Sequence, residues 1–211
     1  MSTETIRGLM DAFAGWEKSI GTRSENEKKP STSARLKLIV PRGPEEMALQ
    51  SKMRWNALEP GMKETMLKLL EGTARWPLYL HGSAGSGKTC ALRLLVALVS
   101  RSKYDTFHDF LITLREYGSG KFSDANELTI WNRYRKDFDL TVIDEIGSRT
   151  PSDFQYETMC RLLDAREDKP FVVASNLTLM ELSKLYDDRV SSRCGAGTVY
   201  KMAAGDRRLE E

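Results

Sequence analysis

Cysteine is scarce in this chain. Its 211 residues include three, Cys90, Cys160 and Cys194, with no C-x-x-C pair and no partnered histidine, so neither a zinc site nor a disulfide framework is expected. Reduced thiols in a cytoplasmic protein are the plain reading. Long hydrophobic runs are missing too. The longest, around residues 92–99 and 171–174, fall well short of the roughly 20 residues that span a bilayer. The first apolar stretch is interrupted by Asp11 and Glu17, unlike a secretory signal, so no membrane partner is expected. Nor does charge of one sign dominate: 32 Lys and Arg against 30 Asp and Glu leave a net +2. Any surface that attracts nucleic acid must therefore be local. There is no internal repeat. What is left is an ordinary globular composition, 40% hydrophobic and 29% charged, long enough for one full domain with an appendage.

One stretch then organises the rest. In WPLYLHGSAGSGKT, residues 76–89, a short β-rich run containing Leu78, Tyr79 and Leu80 enters a turn in which Gly82, Gly87, Lys88 and Thr89 fall at the G-x-x-x-x-G-K-S/T spacing of a P-loop. The chemistry asks for each residue type. Backbone amides of Gly82, Ser83, Ala84, Gly85, Ser86, Gly87 and on into Cys90 would wrap phosphate oxygens. Lys88 would reach the β- and γ-phosphates, and the Thr89 hydroxyl would ligate Mg²⁺. The residues after it carry neither Gly nor Pro and predict a helix whose N-terminus faces the phosphates.

Along the rest of the chain, apolar residues at steps of three and four (Ile6, Leu9, Met10, Phe13, Trp16) predict an amphipathic helix over 1–21. Residues 22–43 begin with a polar tract and read as a flexible linker, with a short strand candidate at 35–40. The main domain is expected over 44–211, starting with helices at about 44–57 and 61–72. Strand candidates at 104–107, 138–143, 171–174 and 198–202 alternate with helices at about 109–117 (Asp109 as cap), through 136 (Asp124 with Glu127 as capping pair), 152–167 and 179–186. That alternation predicts an α/β fold with a parallel sheet and helices on both faces. The strand at 138–143 runs into Asp144 and Glu145. On its own such a pair would be two solvated carboxylates at a strand end. Behind a P-loop, Asp144 suits the Mg²⁺ shell and Glu145 suits the attacking water. Asn176, at the tip of another apolar strand, offers an amide to the γ-phosphate or the water.

Residues 78–89, 140–147 (LTVIDEIG), 172–176 (VVASN) and 188–193 (DRVSSR) occur in the order of the AAA+ ATPases and most resemble the DnaC-type replicative helicase loaders, over about residues 60–208. The resemblance implies that Asn176 is the sensor-1 residue. It also implies that Arg189 or Arg193, with Arg193 favoured, reaches a neighbouring subunit's nucleotide as an arginine finger, which implies a homo-oligomer or co-assembly with the helicase hexamer. Gly205-Asp206-Arg207-Arg208 resembles the closing motif of the same proteins. Only 35 residues follow Asn176, so the C-terminal helical lid of most AAA+ proteins, with its sensor-2 arginine, is expected to be lacking. By the same resemblance the segment at about 107–136 touches single-stranded DNA. Its basic residues interleave with Phe107, Tyr117, Phe122, Trp131 and Tyr134, a pattern suited to backbone neutralisation with base stacking. Lys121, Arg133 and Lys136 are the favoured contacts. The expected function is ATP-dependent loading of a replicative helicase, docked through the N-terminal helix. An IstB-type transposase helper and a nucleotide-gated binding module are the alternatives; the sequence after Glu145 favours the loader.

Overall fold

The computed structural model describes residues 58–119, 126–203 and 205. The N-terminal helix, the linker, the elements expected at 35–40 and 44–57, Lys121, Phe122, Asp124 and the closing Asp206-Arg207-Arg208 lie outside the described residues. Within them, five strands form one sheet: β1 Leu78–His81, β2 Ser102–Thr106, β3 Leu140–Ile146, β4 Phe171–Ser175 and β5 Thr198–Lys201, in the order β2-β3-β4-β1-β5. Every pairing is parallel, with Leu78 opposite both Val172 and Thr198, and Tyr104 opposite Val142. Strands buried on both faces read as continuous apolar runs, which is why LYL, LTVI and FVVA were legible as strands.

Alternation along those strands sorts the side chains into two cores. Leu78, Leu80, Leu140, Val142, Val172 and Ala174 face one side, where α1 (Pro60–Glu71) and α2 (Lys88–Leu98) pack. Met62, Met66 and Leu69 of α1 and Leu92 and Leu95 of α2 are fully buried there. Tyr79, Ile143, Phe171 and Val173 face the other side, covered by α3 (Phe107–Gly118), α4 (Glu127–Lys136), α5 (Asp153–Ala165), α6 (Leu179–Leu185) and α7 (Asp188–Cys194). Each such side chain contributes about 1.5–3 kcal/mol by leaving water. The result is the expected three-layer α/β sandwich. No helical lid follows β5 among the described residues, and no described helix is long and apolar enough to cross a membrane.

Three local expectations need correction. β2 begins at Ser102, not Tyr104, and ends at Thr106. As an edge strand it is only half-buried, so its first residues are polar and escape an apolar search. The cap of α3 is Thr106, whose side chain accepts from the Asp109 amide; Asp109 sits in the first turn instead. The cap of α4 is Asn126, in a reciprocal box with Thr129, rather than the Asp124 and Glu127 pair.

One buried cation ties the sheet's amino edge together. Arg166, 2% exposed, donates to the carbonyls of Tyr134 (3.0 Å), Phe138 (2.9 Å), Asp139 (3.2 Å) and Pro170 (2.6 Å). Burial lowers its pKa to about 10, which still leaves it charged at neutral pH. It joins the α4–β3 connection to the entry of β4, and so fixes the strands that carry Asp144 and Asn176.

Candidate functional site

The loop from β1 to α2 lies at the carboxyl edge of the sheet. Its turn needs glycine: Gly85 and Gly87 take φ of 79° and 92°, where a Cβ meets steric resistance. Gly87 is the N-cap of α2, and no side chain caps that helix. By contrast α3, α4, α5, α6 and α7 each carry a side-chain cap, and α1 starts with proline. The first amides of α2 and its dipole therefore converge where an anion is favoured. Beside them Ser86 Oγ is buried with no hydrogen-bond partner among the described residues. Buried hydroxyls are normally paired, so this loop fits a phosphate group.

Lys88 is 8% exposed and its Nζ donates to the carbonyls of Gly82 (2.7 Å) and Ser83 (2.8 Å). Burial lowers its pKa, and the charges of Asp144 and Glu145 oppose that shift. At the next residue, Thr89 Oγ1 donates to Asp144 Oδ2 at 2.7 Å. The Tyr104 hydroxyl donates to the same oxygen at 2.8 Å, and the Glu145 amide donates to Oδ1 at 2.8 Å. Asp144 is 1% exposed, so these three donors are what make its charge tolerable. Burial, followed by Asp144's charge, raises the Tyr104 pKa, which keeps the phenol protonated and a donor. A hydroxyl oxygen beside a buried carboxylate is the chemistry of a hard divalent cation site.

Glu145 is turned the other way. The β3–β4 register breaks between Ile143 and Ile146, and within the break Glu145 has φ of 63° and an exposed side chain. That conformation costs a non-glycine residue about 1–2 kcal/mol. Strain of this kind gathers at functional sites; here it points Asp144 inward and Glu145 into solvent at one strand end. Asn176 is exposed directly after β4, where Ser175 stands opposite His81 and Ile146. Its turn is anchored: Ser175 Oγ donates to the Ile146 carbonyl at 2.8 Å and accepts from the Leu177 amide at 3.0 Å, while the Tyr79 hydroxyl donates to the Leu177 carbonyl at 2.8 Å.

The fold thus gathers the loop from Gly82 to Cys90 with Asp144, Glu145 and Asn176 on one edge. It does not bring Arg193 there. Arg193 forms ion pairs with Asp164 and, at 3.8 Å, with Glu167, near the C-terminal end of α5. Arg189 is exposed on the first turn of α7, with no ion pair among the described residues. Arg133 and Lys136 are exposed in the last turn of α4, which leads into the start of β3 and so sits at the sheet's opposite edge. Arg133 is 4.0 Å from Asp137. Phe107, Trp131 and Tyr134 belong to the core, which removes them as stacking platforms for bases. Sequence reasoning passed over Tyr104; only the β2–β3 register brings it near Asp144.

No family model matches the chain. The chain is 33% identical over 135 residues to the chromosomal replication initiator protein DnaA of Brucella abortus, a match covering 62% of this chain and 26% of that protein. It spans about a quarter of the length of the curated relatives it matches. Among solved structures, the replication initiator DnaA bound to AMPPCP and single-stranded DNA superposes with a TM-score of 0.58 at 20% identity, covering 69% of this chain and 46% of that one. The DnaC helicase loader superposes with a TM-score of 0.56 at 16% identity, covering 71% of this chain and 98% of that one. These likenesses identify the fold as that of AAA+ P-loop domains. They extend the loader resemblance seen in the sequence to replication initiators as well.

Proposed function

We propose that this chain is an ATPase of replication initiation that loads a replicative helicase onto single-stranded DNA, with ATP and Mg²⁺ held between copies of the chain or between the chain and a helicase hexamer. The observation that carries the proposal is the convergence of Lys88, Thr89, Asp144 and Glu145 around an uncapped helix start and an orphan Ser86 hydroxyl. Lys88 and the amides of residues 82–90 would hold the phosphates, and Thr89 with Asp144 the metal side. When bound, Mg²⁺ would offset charge developing on the phosphate oxygens. Glu145, exposed beside that edge, would orient the attacking water, and Asn176 would hydrogen-bond the water or the γ-phosphate. The solved loader and the initiators support a role at initiation.

Catalysis in trans needs a cation from a neighbour. Arg193 is favoured, although it is paired within its own chain: a partly exposed ion pair is worth about 0–1 kcal/mol and exchanges readily for a phosphate, and a finger contributes about 10³–10⁵ in rate. Arg189, exposed on the first turn of α7, is the second candidate. Lys121, Arg133 and Lys136 are proposed to contact the DNA backbone without base stacking, and the N-terminal segment to dock the helicase. The test is complementation. Arg193→Ala should bind ATP, lose DNA-stimulated hydrolysis and fail to load helicase, and mixing it with Glu145→Gln should restore part of the turnover at interfaces pairing an intact Glu145 with an intact Arg193. Unchanged turnover in Arg193→Ala, with no complementation, moves the role to Arg189. The same result for both arginines contradicts catalysis in trans.

A further inference from the structure

We infer that Tyr104 is a positioning residue for the divalent cation: its phenol fixes the Asp144 carboxylate in the orientation that aims the Thr89 oxygen at the metal. The inference rests on the nucleotide reading above. It begins with a degree of freedom, since the terminal torsion of an aspartate is broad and roughly two-fold, and hydrogen bonds rather than sterics set it. For Asp144 those bonds are three. The Glu145 amide holds Oδ1, while Thr89 Oγ1 and the Tyr104 hydroxyl share Oδ2 at 2.7 and 2.8 Å.

The Thr89 hydroxyl has one proton and two lone pairs. With the proton spent on Oδ2, the lone pairs point away from Asp144 and are free for a cation. Without the phenol, Oδ2 keeps Thr89 as its sole donor, and that bond is the one whose direction matters. Tyr104 is itself held from two sides. It stands on β2 opposite Val142, two residues before Asp144 on the same face of the sheet, and the Arg93 guanidinium lies over its ring at 5.5 Å from the centroid. Arg93 is one helical turn after Thr89, so α2 braces the phenol and supplies the hydroxyl that the phenol helps to aim. Tyr104 acts through Asp144 and is assigned no contact with the nucleotide.

The test is Tyr104→Phe in the full chain, which keeps the ring, its packing and the Arg93 contact. A fluorescent ATP analogue is titrated in EDTA and then over a Mg²⁺ series, with thermal melts alongside. The expected result is equal affinity in EDTA but a Mg²⁺ midpoint raised about tenfold or more, the usual consequence of losing a hydrogen-bond partner behind a metal ligand. If wild type and variant share one Mg²⁺ midpoint, the inference is wrong while the nucleotide reading stands. Equal losses with and without Mg²⁺ mean a purely structural tyrosine, which also overturns it. No binding by wild type under any condition removes the nucleotide reading and the inference with it.

Discussion

Replacing Arg166 with methionine keeps most of the side chain's length and apolar stem but removes every donor. The four carbonyls it serves lie within 3.2 Å, and each charge-assisted bond is worth about 1.5–3 kcal/mol net. Simple addition would overshoot, because the partly buried carbonyls of Phe138 and Asp139 regain water. Removing one side of a buried charged network typically costs about 3–5 kcal/mol, and that is the expected loss. For a domain of this size it lowers Tm by roughly 10 °C or more. Arg166→Lys should recover less than half of the loss, because an ammonium lacks the planar fork that spans four acceptors. Urea unfolding monitored by circular dichroism reads both variants. A cost below about 1 kcal/mol for Arg166→Met, or a lysine variant as stable as wild type, would refute the role given to this side chain.

Glu145→Gly and Glu145→Gln remove the same charge but differ in backbone. Because φ is 63° at this residue, the glycine variant should be more stable than the glutamine variant by about 0.5–1 kcal/mol after its greater unfolded-state entropy is counted, while both lose turnover; equal melting temperatures would contradict the strain argument. Deleting residues 1–21 should leave the cooperative melt and ATP binding intact but abolish helicase binding in a pull-down with purified helicase. A truncated chain that no longer melts cooperatively would place that segment in the core.

The sequence revealed most where a single local pattern carries the chemistry. The P-loop announces itself because its amides, lysine and hydroxyl come from one turn, and the strand ending at Asp144 because a doubly buried parallel strand is apolar throughout. Features built from residues far apart were not legible. Arg166 and its acceptors at Tyr134 and Phe138 are separated by 32 and 28 residues, and no periodicity connects them. Tyr104 gains its place from strand register. The inverted backbone at Glu145 follows from a bulge in β3 that an apolar run ending at Ile143 does not signal. In the 107–136 segment the interleaving of aromatics and cations did not show which side chains are exposed: helical spacing puts Trp131 and Tyr134 inward while Arg133 and Lys136 face out.

Nucleotide binding and turnover in three proteins, wild type, Lys88→Ala and Glu145→Gln, test the central claim most directly. Wild type should bind a fluorescent ATP analogue with Mg²⁺ and release phosphate. Lys88→Ala should lose binding, because the buried charge over the loop is gone. Glu145→Gln should bind as wild type does and release almost no phosphate, since its carboxylate is required only for the chemical step. Equal affinity for wild type and Lys88→Ala, or undiminished turnover in Glu145→Gln, would contradict the account.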